Sequence, residues 1–203
     1  TSYTVNYNLN AAGFTLAAVN VTGYQGLWGT SATLNLQTGT LKTGTLTIGT
    51  NATVNLSATA LSADTVQVNS GGTFNQTGGT ITVTSFNQTG GTVGSGATST
   101  LDLPAGSTFT YTSGTFNGRL INRGTAVFNS NFTAGNGMAN YGAVTTTVNR
   151  TLTLNGAGLD NRGTIKAQSG TLTLDASGGT GGVTNNGTFR VDSGATMVIS
   201  PKG

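Results

Sequence analysis

The feature that most constrains this chain is a twenty-residue period in its apolar positions. Cut from residue 11, four successive blocks fall into register: AAGFTLAAVNVTGYQGLWGT, SATLNLQTGTLKTGTLTIGT, NATVNLSATALSADTVQVNS and GGTFNQTGGTITVTSFNQTG. Phe14, Leu34, Val54 and Phe74 then form one column, and Leu16, Leu36 and Leu56 the next. Val21, Leu41, Leu61, Ile81 and Leu101 make a third, Leu46, Val66 and Phe86 a fourth, and Trp28, Ile48 and Val68 a fifth. Inside a block the apolar residues pair at i and i+2, which is strand periodicity with one face in and one face out. Gly, Thr, Ser, Asn and Asp fill the gaps, as tight turns require. One block cannot bury its own apolar face, whereas a stack of blocks shares a continuous core. The predicted fold is all-β: a single parallel β-solenoid, or β-helix, with about 20 residues per coil. At the usual inter-strand spacing, roughly nine coils give a rod on the order of 40 Å long. Parallel crossovers favour a right-handed coil.

The period divides the chain. Residues 1–10, TSYTVNYNLN, break the register, yet Tyr3, Val5, Tyr7 and Leu9 alternate as an amphipathic strand does. This segment reads as an amino-terminal cap, or as a donor strand that pairs with another subunit. Residues 11–203 form the solenoid, with regular coils over 11–90 and an irregular stretch over 91–118 where a bulge or a change of cross-section is expected. Over 119–200 a different mark takes over: Asn-x-Gly recurs at Asn122, Asn140, Asn161 and Asn185, each two residues after an apolar side chain.

Composition narrows the function classes. Only 6% of residues are charged, and the formal charge is +3. The five Arg are dispersed, with no basic stripe of the kind nucleic-acid binding needs. With neither Cys nor His, thiol chemistry and the commonest transition-metal ligands are missing, and no metal or other cofactor is expected. No apolar run reaches the length of a membrane-spanning helix. Glycoside chemistry needs paired carboxylates, but Glu is absent and Asp64, Asp102, Asp160, Asp175 and Asp192 share no column. A non-enzyme is expected.

The run LDNRGTIKAQSGTLTLDASGGTGGVTNNGTFRVDSGATMVIS resembles repeat units of large bacterial secreted and outer-surface proteins, among them autotransporter passengers and haemagglutinin-like adhesins. The resemblance is good over 115–200 and extends to the earlier coils only in style. It implies a parallel β-helix, an extracellular or cell-surface location, and a part in attachment, biofilm or filament assembly.

Four features invite a sharper reading. The Asn column is expected to stack at a turn and bond the backbone of neighbouring coils, the rival being a ligand-binding row. Arg123 and Arg162 share one position of the Asn-x-Gly turn; a solvated turn is the expectation, and capture of an anionic surface glycan the rival. A glycan-binding module would expose Tyr111, Tyr141 and Phe132 together. Thr33, Thr53 and Thr73 make a column, as do Thr45, Thr65 and Ser85, which invites an ice-binding reading. Their strand neighbours, Asn35, Asn55 and Asn75 or Thr47, Gln67 and Asn87, depart from a strict Thr-x-Thr face, and the expectation is that Thr simply supplies β-propensity on an outer face. The favoured reading is a structural or adhesive stalk or filament subunit, with end-to-end self-association or further coils of a longer chain at its ends.

Overall fold

A computed structural model describes residues 2–7, 15–24, 29–96 and 98–202. Every regular element among them is a strand, and all strand–strand pairings are parallel. The first sheet has ten strands: β1 (Tyr3–Tyr7), β3 (Ala32–Leu36), β5 (Ala52–Leu56), β7 (Gly72–Gln76), β9 (Thr92–Val93), β12 (Thr115–Phe116), β15 (Phe132–Ala134), β18 (Arg150–Leu154), β21 (Thr171–Asp175) and β24 (Thr196–Ser200). The second has nine: β2 (Leu16–Val21), β4 (Thr40–Ile48), β6 (Ala60–Val68), β8 (Thr80–Gln88), β11 (Thr108–Tyr111), β14 (Thr125–Phe128), β17 (Ala143–Thr146), β20 (Thr164–Ala167) and β23 (Thr188–Val191). The third has five: β10 (Thr100–Leu103), β13 (Arg119–Asn122), β16 (Met138–Asn140), β19 (Leu159–Asn161) and β22 (Val183–Asn185). The chain alternates between the first two sheets, each return adding one strand to each, and from β10 onward it visits the third as well. This is the expected β-solenoid, of about eight turns at about 20 residues each.

The core columns follow from this register. Leu34 pairs with Val54 and Val54 with Phe74, while Leu41, Leu61 and Ile81 stack on the second sheet. All six are buried, and each buried side chain of this size contributes about 1.5–3 kcal/mol relative to exposure. Threonine and β-branched neighbours suit the pleated walls. Gly supplies corners that need positive φ, as at Gly39 (83°) and Gly79 (69°) before β4 and β8.

The first coil departs from the twenty-residue register. Tyr3 pairs with Ala32 and Val5 with Leu34, so the step is 29 residues rather than 20. Val21 lies under Ile48, not under Leu41, and Leu16 under Thr43, not under Leu36. The sequence match of Val21 to Leu41 is a coincidence of an apolar-rich strand: extra chain in the first coil displaces every later position. Phe14, Leu9, Trp28 and the side chain of Tyr7 lie outside the described residues. Tyr3–Tyr7, expected as a cap or donor strand, is the first strand of this chain's own ten-stranded sheet, with Tyr3 and Val5 exposed.

Residues 91–118 change the cross-section. In the earlier coils the nine-residue strands β4, β6 and β8 bend at mid-length and serve two walls. Beyond them the wall splits: only Ser85–Gln88 of β8 pairs with β11, and Leu101 on β10 begins the third sheet beneath Leu120 rather than continuing above Ile81. Pro104-Ala105-Gly106 makes the new corner between β10 and β11. Two inward columns change chemistry here: Leu36–Leu56 ends at buried Gln76, and Ile48–Val68 at buried Gln88. Gln88 donates to Thr115 O at 2.9 Å. Large rings fill the space above. Phe86, Phe109, Phe128 and Phe132 pack with centroids 4.7–6.1 Å apart.

Candidate binding surface

Two hydrogen-bonded Asn ladders run along the rod, one inside and one outside. The inner ladder is the predicted column. Asn122 Nδ2 donates to Asn140 Oδ1 at 2.8 Å, Asn140 to Asn161 at 2.8 Å, and Asn161 to Asn185 at 2.6 Å. Each amide also donates to a backbone carbonyl in the next coil: Ala143, Thr164 or Thr188. Asn122, Asn140 and Asn161 are wholly buried at the ends of their strands and so face no ligand, while Asn185 on the last coil is exposed.

The outer ladder lies on the solvent face of the ten-stranded sheet. Asn35 donates to Asn6 at 2.9 Å, Asn55 to Asn35 at 2.8 Å and Asn75 to Asn55 at 2.9 Å. Two residues earlier on each strand stands a Thr. Thr4, Thr33, Thr53, Thr73, Thr92 and Thr115 pair one above the next. Thr133 precedes the Phe116–Ala134 pair by one residue and is paired with Thr153. The sequence columns found only three of these eight Thr. The signal that marks the rest is a local triplet, Thr-apolar-Asn, at 4–6, 33–35, 53–55, 73–75, 115–117 and 153–155, with Gly in place of Asn at 94 and 135. Uneven coil lengths hide it from a fixed period.

The Thr and Asn columns are neutral until Asp175, which succeeds Thr153, and Arg150 at the start of β18 donates to the carbonyls of Phe128, Asn129 and Asn149. Elsewhere Arg123, Asp102, Arg162, Asp160, Lys166, Arg190 and Asp192 form ion pairs. Arg123 grips Asp102 in a two-pronged contact at 2.8 and 3.0 Å, and Arg162 meets Asp160 at 3.1 Å. Both guanidinium groups also lie over Tyr141, at 5.1 and 5.6 Å from its ring centre. The two Arg thus share a column as expected, with their charge balanced by carboxylates and the ring between them covered on both sides. Tyr111, Tyr141 and Phe132 do not form a common aromatic groove: Tyr111 and Phe132 are buried, and only Tyr141 is exposed. The Tyr111 hydroxyl donates to Gly114 O at 2.7 Å, and burial raises its pKa.

Concavities occur beside these features, one of about 420 Å³ next to Thr53 and Thr73. A cleft of about 260 Å³ opens where the cross-section changes, between Thr80 and Ile81 of β8 and Asp102, Pro104 and Arg123. A shallow hollow of about 350 Å³ lies on the ten-stranded face near Thr115, Asn117, Asn131, Thr133 and Asn155. Among the described residues no three His, Cys, Asp or Glu gather as metal ligands, and no helix is long and apolar enough to cross a membrane. Comparison with protein-family models, curated proteins and solved structures gives no match.

At the far end the last coil is open. Phe189, Met197 and Ile199, on columns that are buried lower down, are partly exposed, with Ile199 at 40%.

Proposed function

We propose that this chain is an extracellular, non-enzymatic β-solenoid that serves as a stiff spacer and contact surface, either as a stalk of a cell-surface adhesin or as a subunit of an extracellular filament. The observation that carries the reading is axial continuity. Apolar columns, the inner Asn ladder and the outer Thr and Asn ladders all run from coil to coil. Such a stack resists bending because each coil is held by its neighbours on every wall. Its neutral hydroxyl and amide faces suit weak contacts that gain strength by repetition rather than by one deep pocket. The resemblance of residues 115–200 to secreted and surface repeats supports the same location. Both rims are sheet edges whose pairing groups suit a further coil or a second copy.

Protease treatment of intact source cells tests the placement. The expected result is loss of antibody signal for this chain while a cytoplasmic marker survives. A signal that persists until the cells are lysed overturns it.

A further inference from the structure

We propose that the outer face of the ten-stranded sheet binds ice. This rests on the reading of that face as a contact surface and names what it contacts.

Thr4, Thr33, Thr53, Thr73, Thr92 and Thr115 occupy successive coils in one column, so their side chains repeat at about 4.8 Å along the rod. The Asn ladder runs beside the first four of them, two residues away along each strand, at roughly 6.5–7 Å. The result is a two-dimensional net of polar groups with two fixed periods. A single soluble molecule meets only one or two cells of such a net; a crystal plane meets all of them at once, and the contacts compound.

The groups are held in place before any partner arrives. Threonine is β-branched and stiff at χ1. The Asn carboxamides are tied head to tail from Asn6 to Asn75. Among the described residues, the hydroxyls of Thr33, Thr53, Thr73, Thr92, Thr115 and Thr133 meet no hydrogen-bond partner. A hydroxyl both donates and accepts, so this row fits a lattice of water molecules in either polarity, and the methyl groups between hydroxyls discourage disordered bulk water from competing.

Charge separates this face from the others and separates ice from other solids. Of the thirteen charged side chains, only Asp175 falls in the Thr column, at its far end. The equivalent outward column of the nine-stranded sheet carries Lys166 and Arg190. An ionic mineral would be met by charge; the Thr and Asn columns carry none before Asp175, and Arg150, at the start of β18, turns its guanidinium onto the carbonyls of Phe128, Asn129 and Asn149. A crystalline polysaccharide would be met by flat aromatic rings. Among the described residues the exposed rings, Tyr3, Tyr24 and Tyr141, are absent from the outward Thr and Asn columns. Water ice, uncharged and periodic in donors and acceptors, is the solid that remains.

The test is thermal hysteresis of the purified chain, together with uptake of dye-labelled protein into a growing ice crystal. Lys42 on β4 and Lys166 on β20 belong to the nine-stranded sheet and accept the dye away from the face. The expected result is faceted crystals, a gap between melting and freezing points, and dye in the ice. Thr53→Lys and Thr73→Lys should lose most of both effects. Thr145→Lys, on the outer face of the nine-stranded sheet, should keep them. Should Thr53→Lys perturb the fold by circular dichroism, Thr53→Tyr suits a strand and still breaks the net. No hysteresis and no uptake by the wild-type chain overturns the proposal, as does equal loss in Thr145→Lys. Wild-type binding to powdered cellulose or chitin that Thr53→Lys abolishes also overturns it, by giving the face to a polysaccharide. None of these results bears on surface display, which protease treatment reads separately.

Discussion

Asn122 sits directly above Leu103, and its side-chain oxygen is buried without a partner, although its amide donates to Asn140 at 2.8 Å. The inner ladder therefore has a direction and a loose end. Asn122→Leu moves that end up by one coil, leaving Asn140 Oδ1 unpaired in place of Asn122 Oδ1. The number of orphaned acceptors is unchanged, and the cost should stay under about 1 kcal/mol. Asn140→Leu breaks the ladder in the middle. It strips Asn161 of its donor and Asn122 of its side-chain acceptor, and should cost about 2–3 kcal/mol. Urea unfolding of the two variants beside the wild type checks the difference.

The rings at the change of cross-section make a second prediction. Phe132 is 1% exposed and contacts Phe109, Phe116, Phe128 and Tyr111. Phe132→Ala should cost about 3–5 kcal/mol. Phe189→Ala, on the partly exposed last coil, should cost clearly less. Thermal unfolding followed by far-ultraviolet dichroism reads both.

The glycine of the Asn-x-Gly turn is required by stacking rather than by its own dihedral angles. A Cβ on Gly142 would strike the backbone of Gly124, and one on Gly163 that of Gly142. Gly142→Ala should therefore destabilise by about 2 kcal/mol or more. Gly29→Ala, where a Cβ meets nothing within 4 Å, should fall within about 0.5 kcal/mol of the wild type. Paired melting curves decide it.

Much of this was legible from the amino acids alone, and the exceptions share a cause. Leu34, Val54 and Phe74 sit where the period puts them because three consecutive coils have equal length. Val21 does not, because the first coil carries extra chain and a period fitted to later coils slides along an apolar strand without penalty. Leu101 matched Ile81 in spacing but heads a new wall. Nothing local distinguishes a bent nine-residue strand from two short ones, apart from the Pro104-Ala105-Gly106 corner. The Asn column was visible because its turn glycine marks it, but its burial was not, since a turn residue and a strand-end residue look alike in sequence. The outer Thr ladder was seen only in part, since a column search assumes constant coil length while the Thr-apolar-Asn triplet does not.

Acid should loosen the last coil first. Asp192 is held below the usual carboxylate range, chiefly by the hydrogen bond from Lys166, with burial opposing and the charges of Lys166 and Arg190 adding to it. Asp175 is lowered by the Ser177 hydroxyl and backbone amide. A lowered folded-state pKa adds stability above the unfolded value, and that stability is lost as pH falls through the folded value. With no His or Cys side chain to titrate, the melting temperature should be nearly flat from about pH 8 to 5 and drop below about pH 4. Asp192→Asn should melt lower at neutral pH and show a shallower acid drop. Melting temperature against pH in both proteins is the check.

On the proposed reading the chain is a stiff rod whose coils hold one another. Single-molecule stretching between handles at Ser2 and Lys202 tests it most directly. The account predicts a tether that keeps its length under rising load and then lengthens in discrete steps. Each step should release about one coil, roughly 65–70 Å of extended chain for twenty residues. Smooth lengthening from the lowest loads, with no steps, would contradict it.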